Sequence, residues 1–299
     1  MTEHLRGHAH GDAHGHGTDD TAPDVCTSRR DDDEVEDSYR LHRRFDRMGR
    51  LVGDAAMERL LGAHVMVIGL GGVGSMAAEA LARSGIGRLT LVDFDLVCIT
   101  NTNRQLQAMK GTIGQPKSAV LGERLRLVNP QAKVDAVPMF YEARTAEALL
   151  GRKPDWIVDA IDNMTAKCHL LATCRARGIP MVTSTGASGR LDPAAIRLGD
   201  LAETRVDRMA SEVRKILRTK WEFPRSGPFG IPAVYSEETP AHPQELHYDN
   251  GLGFRCICPS GPNDFHSCEK RRMIYGTASF VTGTFGMMCA SVVVRGIVG

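Results

Sequence analysis

Residues 64–95 read HVMVIGLGGVGSMAAEALARSGIGRLTLVDFD: a short apolar run, a glycine turn, a stretch of small residues at helical spacing and a second apolar run. This order predicts a βαβ unit. Gly69, Gly71 and Gly74 fit G-x-G-x-x-G, in which the first glycine allows a tight turn, the second lets a phosphate approach the backbone and the third lets helix pack on strand. The helix that follows aims unpaired N–H groups at an anion. Asp93 comes 19 positions after Gly74, at the end of the second strand, where a carboxylate can accept hydrogen bonds from a ribose. A nucleotide site is the expectation, against the plainer reading of a glycine-rich turn without a ligand.

Further apolar runs at 133–140, 156–161, 180–186, 194–201 and 229–236 are separated by helix-compatible stretches such as 118–127 and 165–177. Strands alternating with helices predict an α/β, Rossmann-like fold: a mainly parallel sheet with helices on both faces, followed by a C-terminal extension. Residues 1–36 stand apart. They carry His4, His8, His10, His14 and His16, then the acidic run 31–34, with almost no apolar residues. Such a segment cannot bury enough surface to offset its chain entropy, so a solvated tail is expected rather than a metal trap.

The 299 residues carry 37 Lys and Arg against 36 Asp and Glu. Global charge therefore favours no nucleic-acid partner, and only local clustering could. Eight cysteines occur without a C-x-x-C pair, so reduced thiols in a cytoplasm are expected rather than a disulfide framework. Cys256, Cys258 and Cys268, with His266 nearby, match no usual zinc spacing and are read as thiols in a loop. Residues 273–294 hold no charged side chain, which is long enough to span a membrane. Their glycines, serines and threonines favour a buried helix instead, for instance in a dimer core, and leave at most a peripheral membrane association.

The stretch after the second strand points to a triphosphate. Asp93 and Asp95 lead to Asn101, Asn103 and Arg104, and then to Gly114 and Lys117. Two cations thus lie close in sequence to the phosphate turn, as burying a triphosphate requires. Asp162 follows another strand, on the sheet edge where ligands of such folds bind, and is a sensible magnesium ligand.

At these residues the chain resembles the ThiF/MoeB/HesA family, bacterial relatives of ubiquitin-activating enzymes. The resemblance runs from about residue 40 to residue 299, and rests on Arg44-Phe45-Asp46-Arg47, on Gly69, Gly71, Gly72 and Gly74, on the Asp93 to Arg104 stretch, on Gly114-x-x-Lys117 and on Asp162-Asn163. It implies an adenylation domain over 37–299, with substrate bound by the part from about 201. It further implies ATP and magnesium as cofactors, with Asp93 on the ribose, Arg104 and Lys117 on the phosphates and Asp162 on the metal. Arg47 resembles the family arginine that reaches across a homodimer interface to the neighbour's triphosphate. The family joins a carboxylate to the α-phosphate of ATP.

Residues 186–193, 200–204, 207–218 and 234–238 resemble the branch that acts on tRNA, the threonylcarbamoyladenosine dehydratases. Arg205, Arg208, Arg214, Lys215 and Arg218 form a local cationic excess able to meet RNA phosphates. The resemblance thus implies adenylation of the carboxylate of a modified adenosine, then dehydrative cyclisation and loss of AMP. The alternative is activation of the C-terminal glycine of a sulfur-carrier protein, possible partner of a sulfur relay. From another class, a nucleotide sensor without turnover remains to be distinguished.

Overall fold

The computed structural model describes residues 43–244, 246, 259 and 275–299. The histidine and acidic tail, Cys256, Cys258, His266 and Cys268 lie outside them, as do residues 273 and 274.

Two short helices, α1 (Asp46–Val52) and α2 (Asp54–Gly62), precede the predicted βαβ unit, which forms as β1 (His64–Ile68), α3 (Gly72–Arg83) and β2 (Arg88–Val92). The remaining elements are α4 (Lys117–Val128), β3 (Lys133–Val137), α5 (Ala146–Leu150), β4 (Trp156–Asp159), α6 (Met164–Arg177), β5 (Met181–Ser184), β6 (Ile196–Asp200), α7 (Arg208–Lys220), β7 (Pro232–Ser236) and α8 (Ser279–Val298). Side chains supply several boundaries. Asn163 accepts a hydrogen bond from the Ala166 amide at the start of α6, which Gly178 ends in a left-handed conformation, and Asp207 caps α7 through the Ala210 amide.

The strands form one seven-stranded sheet in the order β3-β2-β1-β4-β5-β7-β6. All neighbours are parallel except β6 and β7. The chain lays β2 and β3 to one side of β1 and β4 and β5 to the other, which opens a crevice at the carboxyl ends of β1 and β4, the switch point where such sheets bind ligands. β7, from the stretch after residue 201, is inserted between β5 and β6.

Helices cover both faces, as the buried strands require. Val65 and Val67 of β1 join the core under α2, α3, α4 and α8. Met66 and Ile68, pointing the other way, join the core under α5, α6 and α7. The apolar stretch expected as a buried helix is α8, which buries Val281, Phe285, Cys289, Val292 and Val293. Its small residues meet α3: a Cβ at Gly286 would stand 2.5 Å from the Val73 carbonyl oxygen, and one at Gly72 would stand 2.8 Å from the Thr282 hydroxyl. Arg59 of α2 holds the far end of α8 by donating to the carbonyls of Ile297 and Val298.

Candidate active site

The crevice holds a cavity of about 550 Å³. Its floor is the glycine turn. Gly69 has φ 89°, and a side chain there would strike the Ala160 carbonyl at 2.6 Å. Gly74 packs directly on the Gly69 carbonyl, which is the helix-on-strand contact expected of the third glycine. Gly71 caps α3 with no side chain, so the first amides of the helix face the cavity beside Gly69, Gly71 and Gly72.

Asp93 is buried, and its carboxylate accepts hydrogen bonds from the amides of Leu70 at 2.6 Å and Asp95 at 2.8 Å. It thereby ties the glycine turn to the end of β2. Burial lifts its pKa above the usual carboxylate range, against the pull of Lys117. Lys117, the first residue of α4, donates to the Asp95 carboxylate at 2.8 Å. Its own burial disfavours the charge, but Asp93, Asp95 and the more distant Asp162 outweigh this and raise its pKa. The ammonium therefore stays charged at neutral pH, behind the cavity wall formed by Asp93, Phe94 and Asp95.

Arg104 lines the cavity, and its guanidinium donates to the Thr100 carbonyl and to the Asn103 side chain, both at 2.9 Å. Asn103 in turn donates to the Thr277 carbonyl at 2.8 Å, which draws residues 275–277 over the same cavity. Asn101 is buried, and its side-chain oxygen accepts from the Cys98 amide. Neither asparagine lines the cavity: both shape the loop that presents Arg104.

Asp162 is an exposed residue on the opposite wall. Among the described residues no group of three or more His, Cys, Asp or Glu could hold a metal ion alone. Magnesium commonly takes one or two carboxylates and completes its shell with phosphates and water, and the Asp162 carboxylate fits that role.

Other residues that line or support the cavity escaped the sequence reading. Phe94 and Phe140 meet edge to face with centroids 5.0 Å apart and both line the cavity. Phe140 follows β3 at the same sheet edge, which was the available signal. Gln107 is fully buried and donates to the Leu70 carbonyl at 2.6 Å; nothing in its spacing distinguishes it from a loop residue.

The other expected residues lie apart. Arg47 on α1 has a side chain 92% exposed, paired with Asp46 at 3.6 Å, and is not in the cavity lining. Arg205, Arg208 and Lys215 are exposed. Arg214 and Arg218, also expected to meet RNA, are half-buried and bonded to the protein's own groups. Arg214 donates to the Thr204 hydroxyl and burial lowers its pKa; Arg218 donates to the Pro224 carbonyl and lies 5.2 Å from the Phe229 ring centroid. The reason is helical phase, because the apolar stripe Ala210, Val213 and Leu217 is buried and positions 214 and 218 flank it. Arg208 stands in a second cavity, of about 230 Å³, whose lining shares Gly186, Ser188, Met209 and Tyr275 with the first.

Residues 45–299 match the model of the ThiF family. The chain is 39% identical over 260 residues to the tRNA threonylcarbamoyladenosine dehydratase of Haemophilus influenzae, covering 86% of this chain and 94% of that protein. It also resembles crystal structures of the E. coli tRNA N6-threonylcarbamoyladenosine dehydratase, TcdA. The AMP complex gives a TM-score of 0.75 at 35% identity, covering 88% of this chain and 96% of that one. The ATP complex gives 0.74 at 34% identity, with the same coverage.

Proposed function

The chain belongs to the ThiF family, and from that premise we propose that it uses ATP to adenylate the carboxylate of N6-threonylcarbamoyladenosine in tRNA, after which dehydrative cyclisation releases AMP. The observation that carries this is the match to a dehydratase over nearly the whole of both proteins, on a fold whose cavity sets a glycine turn, Arg104 and Asp162 around one space.

A carboxylate is already ionised at neutral pH, so the adenylation step needs no general base. What it needs is a triphosphate held still and charge-compensated. The amides of α3 and Arg104 bind phosphate oxygens. Asp93 holds the ribose, and Lys117 adds its charge toward the phosphates from behind the wall. Asp162 would hold magnesium, whose charge would compensate the phosphates. The substrate carboxylate oxygen attacks the α-phosphorus and pyrophosphate leaves; the ureido group of the side chain then closes on the activated carbonyl, its proton passes to solvent and AMP departs.

Arg208, at the second cavity, together with Arg205 and Lys215, marks the side from which the RNA approaches. A homodimer in which Arg47 completes the neighbour's site belongs to the same proposal, as does a cytoplasmic location with its tRNA substrate. The apolar helix Ser279–Val298, though long enough to cross a membrane, buries 44% of its most apolar window within the protein.

The test is ATP–pyrophosphate exchange with purified protein, supplied in turn with tRNA bearing the modified adenosine, with unmodified tRNA and with sulfur-carrier proteins. Exchange and AMP formation with the first alone are expected. Exchange with a carrier protein alone would replace this reading with the carrier-activating one.

A further inference from the structure

Lys167 lies on α6 with 1% of its surface exposed, behind the cavity and outside its lining. An ammonium has three N–H donors, and here each finds an oxygen: the Asp159 carboxylate at 2.5 Å, the Thr183 hydroxyl at 3.2 Å and the Ser184 carbonyl at 2.9 Å. The Thr183 hydroxyl donates to the same Asp159 oxygen at 2.6 Å, closing a triangle. The other Asp159 oxygen accepts from the Ile161 amide at 3.1 Å. One buried charge thus grips the carboxyl ends of two adjacent strands, β4 through Asp159 and β5 through Thr183 and Ser184.

Both grips lead to the cavity. Beyond Asp159, the turn of Ala160, Ile161 and Asp162 lines it; so do Ser184, Thr185 and Gly186. Ala160 also touches the phosphate turn, since its carbonyl stands where a Gly69 side chain would be. Stability alone gives little reason for such a pair. Taking two charges out of water costs free energy that their attraction need not recover, and apolar replacements of buried pairs are often neutral or stabilising.

We propose that Lys167 is a positioning residue for the adenylation reaction, which through Asp159, Thr183 and Ser184 fixes the two cavity-lining turns at 160–162 and 184–186. This rests on the adenylation reading for its kinetic consequence, but not for its structural one. The ends of β4 and β5 present Asp162 and the facing wall, and a displacement of about 1 Å in such groups can lower turnover by about a hundredfold.

Removing Lys167 alone strands a buried carboxylate, so the test uses the neutral pair Lys167→Met with Asp159→Asn, and separately Thr183→Val, which keeps the ion pair and removes only the hydroxyl. Amide hydrogen exchange is read without any substrate, alongside thermal unfolding, ATP affinity by calorimetry and turnover on modified tRNA. For the double variant the expected result is a melting temperature near wild type, exchange at 160–162 accelerated at least tenfold, an ATP dissociation constant within threefold of wild type and kcat lowered at least tenfold. Thr183→Val is expected to shift exchange and kcat the same way by a smaller factor, and decides the matter if the double variant does not fold. Unchanged exchange in folded variants would overturn the proposal, as would kcat recovering together with stability, or a loss confined to ATP affinity. If wild-type protein shows no turnover on modified tRNA, the adenylation reading falls while the exchange result still decides whether Lys167 sets the turns.

Discussion

Arg124 donates two hydrogen bonds to the Glu79 carboxylate, at 2.9 and 3.0 Å, and so ties α3, which begins at the phosphate turn, to α4, which begins at Lys117. Glu79 is 5% exposed and also pairs with Arg83 at 2.7 Å. Burial opposes its charge, but the two arginines prevail and lower its pKa.

Arg124→Ala is therefore expected to lower stability at neutral pH by about 1–2 kcal/mol, less than for a fully buried pair because the Arg124 side chain is 37% exposed. The melting temperature should fall by roughly 3–6 °C. Because the Glu79 pKa is depressed in the folded state, its contribution is present above its ordinary value of 4.5 and is lost as pH falls through and below that value. Melting curves at pH 7 and pH 4 should show the gap between wild type and variant narrowing in acid. An equal gap at both would mean the pair does not act through charge.

Arg47→Ala and Asp162→Ala, each inactive alone, should recover about a quarter of wild-type activity when mixed in equal amounts. Random exchange makes half the dimers mixed, each with one intact site of two. Asp162 is a better partner for this test than Lys117, whose loss would leave Asp93 and Asp95 without the buried cation beside them. No recovery after verified subunit exchange would return Arg47 to the role its Asp46 contact describes.

For RNA the exposed set Arg205, Arg208 and Lys215 is the one to neutralise. Replacing all three by Ala should weaken tRNA binding and reduce the slope of log affinity against log salt by roughly two to three, since each lost phosphate contact removes about 0.7–0.9. ATP affinity should stay within twofold. Arg214→Ala and Arg218→Ala should instead lower the melting temperature and leave the slope in place. The reverse pattern would put the half-buried pair on the RNA.

His64 is buried, its ring nitrogen 2.8 Å from the Thr90 hydroxyl, and burial, with Arg88 nearby, lowers its pKa. The unfolded chain takes up this proton more readily than the folded one. Stability is therefore complete above the ordinary value of 6.5 and declines as pH falls below it, by at most about 1.4 kcal/mol per pH unit for one group. His169, also lowered by burial, acts in the same direction. Urea unfolding from pH 7.5 to 5 should show a shallower decline for His64→Gln than for wild type; identical slopes would exclude His64.

How much of this was legible in the sequence depended on whether the signal was local. The βαβ unit, the strand at 156–159 and the helix at 164–177 announce themselves through runs, glycines and caps, because turn geometry and burial act within a few residues. The insertion of β7 between β5 and β6 does not, since spatial order across a sheet leaves no mark on spacing. Asp93, Arg104 and Asp162 were readable as a set on one sheet edge. That Asn101 would be buried under the loop it shapes, or that Arg214 and Arg218 would bond to Thr204 and Pro224, depended on how the irregular turns beside these residues fold back, which residue spacing does not state. Lys167 reads in the sequence as one more lysine on a helix.

The contact of Thr282 and Gly286 with Gly72, Val73 and Ala77 bears on how the molecule assembles. The two partners lie more than 200 residues apart in sequence, so the phosphate helix is backed by a segment from the far end of the chain. The anion-binding end of α3 is thus completed by a sequence-distant pairing, and a change on α8 can reach the phosphate turn without lying near it in sequence.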